Sequence, residues 1–149
     1  KTKKGRDVYG GGGITPDIYS IQKTDFSNST QKLLTHPNRL IFKYATKIDV
    51  NFKKFKKKSF KTFDLFIKNN KGSIVDAKQF IEWTLKEDGS LDLIEHEINQ
   101  DWLYIENRIL AEIANSFWDK NDYYHILLNE DNQFSTALEN MDKAKLLVD

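Results

Sequence analysis

The chain has 149 residues, 39% of them hydrophobic and 30% charged, with a formal net charge of +1 and no cysteine. That length suffices for one domain, which would bury roughly 68–70% of its extended-chain surface, and leaves no room for a second full one. The lack of cysteine excludes disulfides, thiol catalysis and cysteine-bound metals, and no segment approaches the about 20 continuous apolar residues that a membrane span needs.

Read in chain order, the first element is a glycine run followed by a stiff exit. Gly10, Gly11, Gly12 and Gly13 stand together, then Ile14-Thr15-Pro16-Asp17. Glycine reaches φ > 0 without steric cost and admits a close backbone neighbour. Pro16 fixes its own φ and pushes Thr15 toward extended structure, so a pliable turn leads into a short β-like run at Ile18, Tyr19, Ser20 and Ile21. A linker is expected over residues 23–37. From residue 38 the pattern turns helical. Asn38, just after Pro37, is placed to cap a helix with Leu40, Ile41, Tyr44, Ala45 and Ile48 on its inner face. A second helix, capped by Ser59, runs from about Phe60 to Asn69, with Phe60, Phe63, Phe66 and Ile67 facing inward. A third, capped by Asp76, turns Ala77, Phe80, Ile81, Thr84 and Leu85 to the core and stops at Asp88-Gly89.

The longest periodic stretch opens at Ser90. Leu91, Ile94, Ile98, Trp102, Ile105, Ile109, Ile113 and Phe117 recur at steps of three or four, which predicts one helix of about 27 residues, against a mean near 12. A short helix over Asp122–Leu128 and a last one over about Gln133–Leu147 follow. Trp83, Trp102 and Trp118 fall on apolar faces. The expected fold class is therefore mainly α: a bundle of five to six helices joined by short connections and preceded by an extended, glycine-rich, strand-like segment.

Charge is unevenly spread. Residues 1–73 carry 17 Lys+Arg against 5 Asp+Glu, a net of +12, and residues 74–149 carry 6 against 17, a net of −11. The two halves can meet within one fold or across a homodimer, or the basic half can attract a nucleic acid. The basic patch Lys53–Lys61 is interleaved with Phe52, Phe55 and Phe60, as a single-stranded nucleic-acid site would require. The helical spacing of the phenylalanines that follow assigns those rings to a core and leaves the lysines as a solvated turn.

Chemistry-bearing patterns are sparse. The glycine run lacks the Lys-Ser/Thr sequel of a phosphate loop, and no helix start follows it to hold a pyrophosphate. Ser-x-x-Lys occurs at Ser20/Lys23 and at Ser29/Lys32, where a lysine amine could activate a hydroxyl one helical turn away, but the accompanying Ser-Asp-Asn and Lys-Thr-Gly elements are missing. No Gly-x-Ser-x-Gly elbow exists, and His36, His96 and His125 sit in no recognisable triad setting. Asp92 and His96, four apart on the expected long helix, offer two possible ligands on one face, which is not a metal site. No cofactor motif is present, and Tyr123-Tyr124-His125 reads as an amphipathic turn closing the bundle.

The segment Gly5-Arg6 with Val8 to Asp17 resembles the motif that closes the catalytic domain of bacterial C-terminal processing (tail-specific) serine proteases. The order of Asn38-Arg39-Leu40-Ile41-Phe42-Lys43-Tyr44-Ala45, the Phe-rich helix, and Glu112-Ile113-Ala114 before Asp122-Tyr123-Tyr124 is similar to the helical C-terminal region of members in which the glycine run is expanded. The resemblance implies an endopeptidase of the bacterial cell envelope or periplasm that takes the C-terminal tails of protein substrates through a PDZ domain, with a serine activated by a lysine. Both catalytic residues of that family lie before the matching motif, so no catalytic residue transfers to this sequence. The opening Lys1-Thr2-Lys3-Lys4, without an initiator Met, fits a start in mid-domain. The resulting expectation is residues 1–22 as the last strand segment of a protease core, 23–37 as linker, and 38–149 as a non-catalytic helical domain that braces the core or mediates self-association. The competing readings are a stand-alone helical adaptor for a protein partner and a nucleic-acid module built on Lys53–Lys61.

Overall fold

The structure is a computed structural model that describes residues 5, 7, 11, 16, 18–22, 25–47, 62–69 and 74–146. Among these residues 69% are helical, in nine helices, and no strand or sheet is present. The helices are α1 (Asn28–Thr35), α2 (40–47), α3 (Phe63–Asn69), α4 (Ala77–Glu87), α5 (Glu95–Gln100), α6 (Trp102–Phe117), α7 (Lys120–Leu128), α8 (Asn132–Glu139) and α9 (Met141–Lys145). The mainly α bundle expected from periodicity is therefore the observed architecture.

Helix α6 is its spine. Ile105, Ile109 and Ile113 are fully buried along the stripe that a 3.6-residue period produces when apolar residues recur every three or four positions, and Ala111 and Ala114, on other sides of the helix, are fully buried as well. α7 packs against α6, while α1 and α4 both pack against α5. α2 contributes Leu40, Ile41, Tyr44 and Ala45, all buried, so the inner face read from the sequence is the one that faces the core; Ile48 lies outside the described residues. Aromatic rings tie the layers together. Tyr44 meets Phe80 edge-on at 5.0 Å between centroids and Trp83 at 5.1 Å, and Phe80 reaches Trp102 at 5.9 Å. At the other end Phe66, fully buried, packs on Trp118 at 5.1 Å, and Phe63 packs on both Trp118 and His125.

Several local expectations are corrected. The stretch expected as a linker holds α1, which is part of the core through Leu33, Thr30 and Ser29, each no more than 1% exposed. Its start is set by Ser27, whose hydroxyl accepts the Thr30 N–H. α2 begins at Leu40 rather than on an Asn38 cap. Arg39 occupies the preceding position at φ 48°, in the left-handed region, and donates its N–H to the His36 carbonyl at 3.0 Å. For a non-glycine residue that conformation costs roughly 1–2 kcal/mol.

The expected long helix is two helices. Residues 91–94 are irregular, and the chain breaks again at Asp101, at φ −100° and ψ 10°. The Asp101 side chain, 2% exposed, accepts the Ser27 N–H at 2.9 Å, so the break serves to receive α1. Ile94, placed in the core by its spacing, is 42% exposed because it precedes α5 instead of lying within it. In α4 the inward residues are Phe80, Ile81, Trp83 and Thr84, whereas Leu85 is exposed. The last expected helix divides at Asn140 into α8 and α9. Asp76 caps α4 as expected, its Oδ1 accepting the Gln79 N–H at 2.9 Å. The Ser59 cap, Phe60 and the Lys53–Lys61 patch lie outside the described residues.

Candidate functional site

Of the glycine motif, Gly11 and Pro16 are described; Gly10, Gly12, Gly13 and Asp17 lie outside the described residues. Gly11 adopts φ +112°, a conformation that side-chain-bearing residues rarely reach, and among the described residues nothing stands within 4 Å of where a Cβ would be. That positive φ is a backbone reason for glycine at Gly11. Beyond Pro16, residues 18–22 bend at Ile18 and take no regular secondary structure, and Ser20 is held against α8. The Gln133 amide donates to the Ser20 carbonyl at 3.1 Å, and the Thr136 hydroxyl donates to Ser20 Oγ at 3.1 Å. A shallow cleft lined by Ile18, Tyr19, Gln133 and Ala137 separates this segment from the helix. Ile18, Tyr19 and Ile21 are 47%, 73% and 87% exposed. α8 and α9 bury no residue and carry Phe134, Leu138 and Met141 exposed.

The second Ser-x-x-Lys pair is not brought together. Ser29 Oγ donates to Glu97 Oε2 at 2.6 Å and accepts the Ile94 N–H at 2.9 Å, while Lys32 Nζ donates to the Asp92 carbonyl at 2.8 Å. Ser29 is thus a tie between α1 and the start of α5. Its backbone N–H also donates to Glu97 Oε2, and these two bonds hold the Glu97 carboxyl below the usual carboxylate range. Of the first pair, Ser20 is committed to Thr136 and Lys23 lies outside the described residues.

The histidines separate as well. His36 Nε2 lies 3.1 Å from Asp88 Oδ2, and its Nδ1 accepts the Asn38 N–H at 3.2 Å, which places the ring proton on Nε2. Ser90 donates its hydroxyl and its N–H to the other Asp88 oxygen, and these bonds, with that from His36, lower the Asp88 pKa. Carboxylate, not imidazole, is the centre of this group, so the serine hydroxyl faces a weakly basic carboxylate and not the imidazole that a triad requires. Asp92 and His96 do not share a helix face, because Asp92 precedes α5 and its side chain points into solvent. Among the described residues no group of three His, Cys, Asp or Glu side chains could hold a metal ion.

One polar groove was not read from the sequence. It lies where the start of α2 meets the α6–α7 corner, has a volume of about 260 Å³, and is lined by Arg39, Glu112, Asn115, Lys120, Tyr123 and Tyr124. Burial pushes the Glu112 carboxyl up, against the pull of Arg39 and Arg108, and burial likewise raises Tyr123. These residues come from three separate stretches of chain, and only the positive φ of Arg39 marks the place locally. Against known proteins the chain has no match: no family model, no curated protein and no solved structure.

Proposed function

We propose that the chain is the non-catalytic C-terminal segment of a tail-specific (C-terminal processing) serine endopeptidase, and that it braces the protease core. The observation that carries the reading is the segment 18–22: a non-helical stretch in a helical unit, with Ile18, Tyr19 and Ile21 exposed and no sheet among the described residues. Apolar side chains exposed together on one short segment make a surface that a partner ordinarily covers. In this reading the sheet belongs to the protease core, and α8 grips the segment from behind through Ser20. The conformation of Gly11 supports the same placement, since the motif that resembles the family's closing strand then has a backbone reason for its glycine. The partners are the catalytic core and PDZ domain of the parent protease, which acts on protein tails in the cell envelope.

Two measurements test this. Incubated with an unfolded protein bearing an apolar C-terminus, the chain alone shows no hydrolysis above background; serine-dependent cleavage that Ser20→Ala abolishes overturns the reading. Added in trans to a catalytic core of this protease family that lacks its own closing strand, the chain binds, and Tyr19→Asp with Ile21→Asp weakens binding at least tenfold. Both side chains are exposed, so the double variant keeps the chain's own melting temperature. Binding no tighter than that of an unrelated helical protein overturns the bracing role.

A further inference from the structure

We propose that the groove between the start of α2 and the α6–α7 corner binds a small oxyanion-bearing molecule, a phosphate monoester or a carboxylate, through Arg39, Lys120 and Tyr123. Two cations, Arg39 and Lys120, line it, a third, Arg108, lies close enough to act on its Glu112 and Tyr123, and each rests on a ring. The Arg39 guanidinium lies 4.6 Å from the centroid of Phe42, Arg108 lies 4.6 Å from Tyr104, and the Lys120 ammonium lies 5.7 Å from Tyr124. A ring holds a cation by its face and leaves the N–H edge free to donate, whereas a carboxylate would occupy that edge. Among the described residues Glu112 is the one acid lining the groove, and neither Arg39 nor Arg108 pairs with it within 4 Å. The lining therefore presents two positive charges against one negative, with a third cation, Arg108, nearby.

The backbone at Arg39 is the second observation. A left-handed arginine at φ 48° is a conformation that glycine or asparagine takes more readily, and here it sets the guanidinium over Phe42 at the mouth of the groove. Guanidinium groups bind planar or tetrahedral oxyanions with paired N–H bonds. Burial keeps Tyr123 protonated, so its hydroxyl is a further donor. The volume of about 260 Å³ falls below that of sites for drug-sized ligands and fits a small molecule.

Titration of the 149-residue chain with inorganic phosphate and, separately, with succinate, at constant ionic strength, tests the site, read from the arginine side-chain N–H resonances. Saturable binding is expected, with shifts confined to Arg39, Arg108 and their neighbours; the tighter of the two probes identifies the oxyanion class. Arg39→Gly relieves the backbone and removes the guanidinium together, so it should leave the melting temperature unchanged or higher while affinity falls at least tenfold. Lys120→Gln should lower affinity several-fold, Glu112→Gln should raise it several-fold by removing the opposing charge, and Lys86→Gln, an exposed cation on α4, should change nothing. Non-saturable shifts with both probes, an Arg39→Gly variant that retains full affinity, or an equal loss with Lys86→Gln overturns the proposal.

Discussion

Ser29 is the residue on which the packing of α1 turns, because one buried hydroxyl and its own N–H serve two partners 65 and 68 positions away. Ser29→Ala removes the hydroxyl's bonds to Glu97 and to the Ile94 N–H but leaves the backbone N–H on Glu97 Oε2, and a hydrogen bond of this kind contributes about 0.5–1.5 kcal/mol. Ser29→Ala is therefore expected to lower stability by that order, measured by denaturant unfolding. The same tie has a pH signature. Glu97 titrates below its ordinary range in the folded chain, so the carboxylate form contributes stability that is fully present above the unfolded value, about pH 4.3, and is lost as pH falls through the folded value. Asp88 acts in the same direction, whereas Glu112 and Asp122, raised chiefly by burial, favour the fold as they take up protons. The difference between wild type and Glu97→Gln isolates the one group: it should vanish in acid and open as pH rises through the carboxylate range. A difference that does not change with pH removes Glu97 from the account.

At the scale of elements, what the sequence made legible were the faces, and what it hid were the breaks. The α2 stripe and the α6 spine follow from apolar spacing alone, since burial of one side is what selects those residues. The same spacing runs through Asp101 without interruption, because Ile98 and Ile105 keep their interval across the junction of α5 and α6 and a periodic pattern carries no record of a local change in φ and ψ. The decisive contact, Asp101 with the Ser27 N–H, spans 74 positions. α1 escaped notice because eight residues hold too little periodicity, although Ser27 is a serviceable cap. In the glycine motif the need for φ > 0 at Gly11 was readable; the groove at Arg39 was not, because its lining assembles only in three dimensions. Two aspartates that cap helices yield a prediction about how breaks and packing interact. Asp119 accepts the Asn121 and Asp122 N–H groups at the start of α7, and Asp131 accepts those of Gln133 and Phe134 at the start of α8. Each cap contributes about 1 kcal/mol to its helix. α7 packs on the spine and buries Ile126, while α8 buries nothing. Asp119→Ala should therefore lower the global melting temperature, and Asp131→Ala should chiefly raise amide exchange within α8. A global shift as large from Asp131→Ala would show that α8 belongs to the cooperative core.

For the whole molecule, the split between a basic first half and an acidic second half is met in part within the chain. Lys32 pairs with Asp92 at 3.9 Å and Lys43 with Glu87, each joining the α1–α2 side to the α4–α5 side. These contacts support intramolecular facing of the halves over a dimer interface. Their energetic weight is small: the lysine pairs are partly open to water, where such a pair contributes about 0.2–1 kcal/mol and is screened by salt. Raising sodium chloride from 0.05 to 0.5 M should then lower the melting temperature by no more than a few degrees, since about 1 kcal/mol moves the midpoint of a domain this size by about 2–4 °C. Sedimentation at the same two ionic strengths should find one monomeric species throughout, and a single-stranded oligonucleotide should leave it unchanged at low salt. A dimer that dissociates as salt rises assigns the charge split to association between copies. Oligonucleotide binding that weakens steeply with salt, with a slope that shrinks when Lys53, Lys54 and Lys56 become Gln, assigns it to phosphate contacts instead.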